Sequence, residues 1–201
     1  MRGRDVAIID SGGANIASLL YALERQGATG QLTTDPAVIR SASHVILPGV
    51  GAAAAAMSRL DEHQLAPVIA SLEQPVLGIC LGMQLLCAGS AEDDTACIGV
   101  FEERAERLPA SPETPVPNMG WCQLTRQQDS PLLDGVADGS WFYFVHSYAV
   151  PIGDATLATA IHRSDFSAVI GRDNFFATQF HPERSSYAGA RLLANFLAIA
   201  P

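Results

Sequence analysis

The chain has 201 residues, a length that one hydrophobic core supports, and no linker divides it, so a single domain over residues 1–201 is expected. Its formal charge of −9, from 21 acidic and 12 basic residues, comes with no block of Lys or Arg that could neutralise a run of phosphates, which argues against a nucleic-acid partner. The start, Met1 to Asp5, runs into an apolar stretch only from Val6 to Ile9; that is too short for a signal-peptide core or a membrane span, so a cytoplasmic protein without membrane association is expected.

The first half alternates short apolar runs with helical spacing. Val6 to Ile9 reads as a strand; Ile16, Leu19, Leu20 and Leu23 then recur on one helical face that closes at Gly27, with Asn15 as N-cap. The Gly12-Gly13 loop between them lacks both G-x-G-x-x-G and G-K-[ST], so it is a turn rather than a phosphate cradle. Val45 to Leu47 forms a second strand candidate stopping at Pro48-Gly49, and Ala52 to Leu60 a helix built on an alanine run. A third strand, Val76 to Ile79, leads directly into a helix from Leu81 to Ala88 with Gly89 as its stop.

Beyond Gly89 the segments become β-type: around Val100, around Trp121, Trp141 to Val150, Thr156 to Ile161, Phe166 to Ile170 and Asn174 to Phe180. A closing helix carries Leu192, Leu193, Phe196 and Leu197 on one stripe. The fold expected is α/β: a mostly parallel central sheet flanked by helices on both faces, with an added antiparallel portion from the second half.

Gly78-Ile79-Cys80-Leu81-Gly82 has the G-x-nucleophile-x-G form of a sharp strand-to-helix turn, and a strand and a helical pattern stand on the correct sides of it. In that turn the side chain two before or two after the nucleophile would strike the neighbouring strand or helix. A thiol at the start of a helix feels unpaired N–H groups that favour thiolate, and the Leu81 N–H can hold an oxyanion. Cys87, Cys97 and Cys122 have no such neighbours and no CxxC or histidine spacing, so they read as reduced, apolar thiols without a zinc site. His181-Pro182-Glu183 offers an imidazole and a carboxylate two residues on, which an extended segment would place on the same side. Glu183 would fix the tautomer of His181, and His181 would take the proton of Cys80. His44, His63 and His162 stand at no catalytic or metal-ligand spacing.

Gly78 to Gln84 and His181 to Glu183 resemble the motifs of the triad-type, or class I, glutamine amidotransferases, a flavodoxin-like fold. Four further segments, Leu47 to Gly51, Val116 to Trp121, His146 to Tyr148 and His181 to Ser185, are most similar to the glutaminase subunits of imidazole glycerol phosphate synthases, which serve histidine biosynthesis. The resemblance implies a Cys80, His181, Glu183 triad and an oxyanion strand of Gly49, Val50 and Gly51 acting with Leu81. It implies that Gln84, Ser147 and Tyr148 hold the amino-acid end of L-glutamine, and that Asn15, Asn118, Met119, Trp121 and Arg184 lie toward the partner. That partner would be a cyclase subunit with a (β/α)8 barrel, joined as a heterodimer, which uses the ammonia to form imidazole glycerol phosphate and AICAR. No metal or organic cofactor is called for.

The loop Asp10 to Asn15 departs from the usual Asp-Tyr-Gly-x-Gly-Asn, and Arg184 stands for a commoner lysine. The Gly49-Val50-Gly51 segment, able to reorient between glycines, is expected to keep the isolated chain slow until the partner is bound and carries its own ligand. Competing readings are the glutaminase subunit of a pyridoxal phosphate, anthranilate or purine synthase, a stand-alone cysteine hydrolase, and a non-catalytic α/β regulatory subunit.

Overall fold

The computed structural model describes residues 4–13 and 15–200; Met1 to Gly3, and Ala14 in the Asp10 to Asn15 loop, lie outside the described residues. The first part of the chain runs β1 (Arg4–Ile9), α1 (Ile16–Arg25), β2 (Ala28–Thr33), α2 (Pro36–Ser41), β3 (His44–Gly49), α3 (Ala53–Glu62), α4 (Leu65–Ala70), β4 (Val76–Cys80) and α5 (Leu81–Leu86). Then come β5 (Cys87–Ser90), β6 (Thr95–Ala96), β7 (Phe101–Arg107), β8 (Asn118–Gln123), β9 (Thr125–Arg126), β10 (Trp141–His146) and β11 (Tyr148–Ala149). Last are β12 (Thr156–His162), β13 (Ser164–Arg172), β14 (Phe175–Thr178) and α6 (Ser186–Ala198).

The main sheet has eight strands in the order β2-β1-β3-β4-β14-β13-β12-β9. From β2 to β14 all pairings are parallel, and from β14 onward all are antiparallel. Alternation along β1 divides the core: Val6 and Ile8 face Leu19 and Leu23 of α1 and Phe196 of α6, whereas Ala7 and Ile9 face Ile39 of α2 and Leu60 of α3. The mostly parallel sheet with helices on both faces is thus the architecture the apolar rhythm predicts. Two smaller sheets, β10-β8 and β11-β7-β5-β6, stand beside it.

Three of the differences from the expected boundaries have a clear local cause. The helix after Cys80 ends at Leu86 rather than Ala88, because the chain turns straight into β5, and Gly89 lies inside that strand. A Cβ there would lie 2.9 Å from Thr95 O, so this glycine serves a close strand approach and not a helix stop. Trp141 to Val150 is two strands on two sheets, β10 and β11, divided at Ser147. The strand expected through Phe180 ends at Thr178, and Phe180 instead packs its ring 4.1 Å from Phe142 and 5.5 Å from Phe144. Such aromatic pairs contribute about 0.5–1.5 kcal/mol each beyond buried area, and here they seat the β8-β10 ribbon beside His181.

Candidate active site

Cys80 stands at φ +55°, ψ −110°, a conformation a non-glycine residue holds only where its surroundings impose it. Those surroundings are the two flanking glycines. A Cβ on Gly82 would sit 1.8 Å from Leu47 O of β3, and one on Gly78 2.9 Å from Gly82 O. The strand, the turn and the helix therefore close on each other with no space for a methyl group. Gly49 is in register with Cys80 across β3 and β4, and its own Cβ position is 2.9 Å from Leu81 Cβ, so the end of β3 lies against the turn. Beyond it Val50 is 41% exposed and Gly51 has φ +89° with open space around its Cβ position. On the other side, the hydroxyl of buried Ser11 donates to Pro48 O at 2.6 Å and ties the loop after β1 to this strand.

His181 comes to Cys80 because β14 pairs in parallel with β4, Thr178 opposite Ile79. The pair His181 and Glu183 is formed differently from the extended arrangement predicted. Pro182–Arg184 is a single 3₁₀ turn, and across it His181 Nδ1 donates to Glu183 Oε1 at 2.9 Å. Hydrogen bonds pin the turn: His181 N–H donates to Tyr143 O at 3.0 Å, Ser185 Oγ donates to His181 O at 2.7 Å, and Tyr143 N–H donates to Ser185 Oγ at 3.0 Å. Gly189 lets α6 press on it, since a Cβ would lie 2.0 Å from Pro182 O.

With Nδ1 engaged by Glu183, Nε2 is the nitrogen left to exchange a proton with Cys80; it is buried and makes no hydrogen bond. Burial alone would lower the pKa of His181; the facing Cys80 thiol, and then the Glu183 carboxylate, outweigh it and hold the imidazole well above its ordinary value. The protonated form of His181 is therefore favoured while it faces Cys80 and Glu183.

Cys80, His181, Gln84, Ser147, Tyr148, Val50, Gly51 and Leu81 line one cleft of about 250 Å³, together with Glu92, Pro117, Val145 and His146. Gln84 is buried, and its amide nitrogen donates to Tyr148 O at 3.0 Å and to Gln179 Oε1 at 3.1 Å, which leaves only its Oε1 for a ligand. Among the described residues lining the cleft, Glu92 is the one carboxylate, and its Oε2 accepts from Ala53 N–H at the start of α3 at 2.8 Å. His146 is buried; Nδ1 donates to Tyr148 O at 2.9 Å and Nε2 accepts from the Asn118 amide at 3.0 Å. Desolvation lowers its pKa to about 4, so it is a neutral imidazole near pH 7.

Of the residues expected toward a partner, Asn15, Met119, Trp121 and Arg184 are exposed, the last with its guanidinium 5.2 Å from the Tyr143 ring. Asn118 is not: it is buried and its amide is engaged by His146, which corrects the surface role expected of it. Sequence reasoning missed Glu92, Gln179 and Gly189, and gave Ser185 no role beyond its place in the His181 to Ser185 segment. Glu92 sits in an acidic loop and Gln179 next to the His-Pro-Glu motif, and neither type nor spacing marked them. Among the described residues no group of three or more His, Cys, Asp or Glu could hold a metal ion, and no helix is long and apolar enough to cross a membrane.

The family described as glutamine amidotransferase class-I matches residues 7–200. Imidazole glycerol phosphate synthase subunit HisH of Shewanella oneidensis is 47% identical, over 96% of this chain and 95% of that protein. The subunit of the same name from Yersinia pseudotuberculosis is 46% identical, over 96% and 98%. A solved structure described as a putative GMP synthase subunit from Thermoplasma acidophilum superposes with a TM-score of 0.78 at 18% identity, covering 98% of this chain and 94% of that one. PurLQS from Thermotoga maritima does so at 0.70 and 17%, covering 98% and 99%. At these identities the two structures share the fold alone.

Proposed function

The chain belongs to the class-I glutamine amidotransferases, and from that premise we propose that it is the glutaminase subunit of an imidazole glycerol phosphate synthase. Likeness at 46–47% over nearly the full length of relatives bearing that description carries the reading. The chemistry rests on the positive-φ Cys80 facing an imidazole whose far nitrogen is held by Glu183.

Glutamine enters the cleft with its ammonium toward the Glu92 carboxylate and Gln84 Oε1, and its amide toward Cys80. His181 Nε2 takes the thiol proton and the sulfur attacks the amide carbon. The Leu81 N–H, in the first turn of α5 and so without an intrahelical acceptor, and an N–H of the Gly49 to Gly51 segment hold the oxyanion. His181 returns its proton to the departing ammonia. Water, deprotonated by the same nitrogen, then cleaves the γ-glutamyl thioester to glutamate. Ser147 and Tyr148 position the amino-acid end.

The ammonia is consumed by a cyclase subunit in the cytoplasm. It docks on the face bearing Asn15, Met119, Trp121 and Arg184. Trp121 is 48% exposed and Met119 66%, side chains of the kind that anchor protein interfaces. A Cys80→Ala complex tests the assignment: glutamine-dependent synthesis should vanish, at least 10³-fold, while synthesis from added ammonia persists. Retained glutaminase turnover would remove Cys80 from its role.

A further inference from the structure

We propose that Gln179 is a further catalytic residue, whose side-chain amide donates to Cys80 Sγ once the sulfur has given its proton to His181. This rests on Cys80 being the nucleophile of the proposed glutaminase. Besides His181, which takes its proton, the sulfur has two hydrogen-bond neighbours among the described residues. As a thiol it donates to Val145 O at 3.7 Å, and Gln179 Nε2 reaches it at 3.9 Å. A carbonyl can only accept, so Val145 favours the thiol and opposes the thiolate. When the proton moves to His181 Nε2, the imidazolium N–H faces the negative sulfur, and any further stabilisation must come from a second donor. The Gln179 N–H is the amide side chain within reach, and it is fully buried, so no water competes for it.

The orientation of that amide is imposed by a chain of bonds whose directions follow from one carbonyl. Tyr148 O can only accept, so Gln84 meets it with Nε2 and His146 with Nδ1–H. The same Gln84 nitrogen, at 3.1 Å from Gln179, requires the oxygen of Gln179 on that side and therefore turns Nε2 toward the sulfur. His146, with its proton on Nδ1, presents Nε2 to the Asn118 amide. The main chain of Gln179 is placed by its own N–H, which donates to Ala168 O at 2.9 Å. Every donor in this series meets an acceptor, and it ends on the reacting atom.

The test is the pH profile of Cys80 alkylation by iodoacetamide, which needs the thiolate but no glutamine site, in the full chain with and without its partner. Gln179→Met conserves volume and removes the donor; Gln179→Leu does so by another shape. A hydrogen bond to a charged group at this long distance is worth about a tenfold change. Both variants should alkylate about tenfold more slowly near neutrality, rejoin the parent curve at alkaline pH, and lose kcat by a similar factor with KM changed less. Profiles superimposable on the parent would overturn the proposal, as would equal slowing at every pH, which reports lost access. Should both variants fail to fold, Gln84→Met, which frees the Gln179 amide to rotate, should shift the profile the same way by less; no shift there also overturns it. Glutaminase turnover that persists in Cys80→Ala would instead count against the nucleophile assignment, since labelling there can fall on Cys97 or Cys122.

Discussion

The two walls of the cleft are made rigid by opposite means. The elbow, Gly78 to Gly82, is held by exclusion: Cys80 is kept at φ +55° because β3, β4 and α5 approach so closely that even a methyl group on Gly82 would meet Leu47 O at 1.8 Å. The facing wall, from β8 through β10 to Tyr148, is held by directed polar bonds between Asn118, His146, the Tyr148 carbonyl, Gln84 and Gln179. Exclusion fixes one atom and tolerates no change of size. A polar series tolerates size and fails when one member changes its protons.

The largest effect should therefore come from the smallest addition. Gly82→Ala forces the Leu47 backbone to move and should cost at least about 4 kcal/mol, seen as insoluble protein or a greatly lowered melting temperature, with glutaminase activity lost. A well-folded, active Gly82→Ala protein would break the contrast at once.

Next comes the response to acid. His146 is neutral in the folded protein with a pKa near 4, against about 6.5 unfolded, so its contribution to stability is complete above pH ~6.5 and is lost as the pH falls through 4. The difference corresponds to about 3 kcal/mol. His181 has the reverse sign: its pKa is raised, so its contribution is complete below pH ~6.5 and declines as the pH rises through the elevated value. Urea unfolding should show stability dropping between pH 6.5 and 4, and His146→Gln should flatten that slope whatever its own cost. Parallel slopes for parent and variant would mean the wall does not titrate through His146.

The smallest effect sharpens the boundary between the two modes. Ser11→Ala removes a single polar tether to Pro48 O from the strand beside the elbow. It should cost about 1–3 kcal/mol because the buried carbonyl loses its partner, and Ser11→Thr should restore most of it. Thermal melts of the two variants would check this; equal loss in both would mean that packing at Ser11 matters and the bond does not.

What was legible in the sequence follows the same division. The elbow is a five-residue pattern whose cause is local sterics, so Gly78, Cys80 and Gly82 announce it, and His181 with Glu183 is equally local even though a 3₁₀ turn, not an extended strand, forms the pair. The polar series was not legible, because Gln84 and Gln179 meet only through the pairing of β14 with β4, and no spacing encodes it. Asn118 was misplaced on the surface for the same reason. In the fold, β1, β3 and β4 were plain from the apolar runs at their centres, Val6 to Ile9, Val45 to Leu47 and Val76 to Ile79. The edge strand β2, Ala-Thr-Gly-Gln-Leu-Thr, is largely exposed and has no apolar period to detect. Helices α2 and α4, six residues each, are too short to establish one.

The position of β14 between β4 and β13 also sets a schedule for biosynthesis. Four parallel strands, β2-β1-β3-β4, can pair as soon as residue 80 has left the ribosome, but the outer edge of β4 must wait for the chain to reach Thr178. That is about a hundred residues, or roughly 5–20 s at ~5–20 residues per second. Through that interval an apolar strand ending in a reactive thiol stands uncovered in the nascent chain, which makes it the natural point for a chaperone to hold and for aggregation to begin when none does.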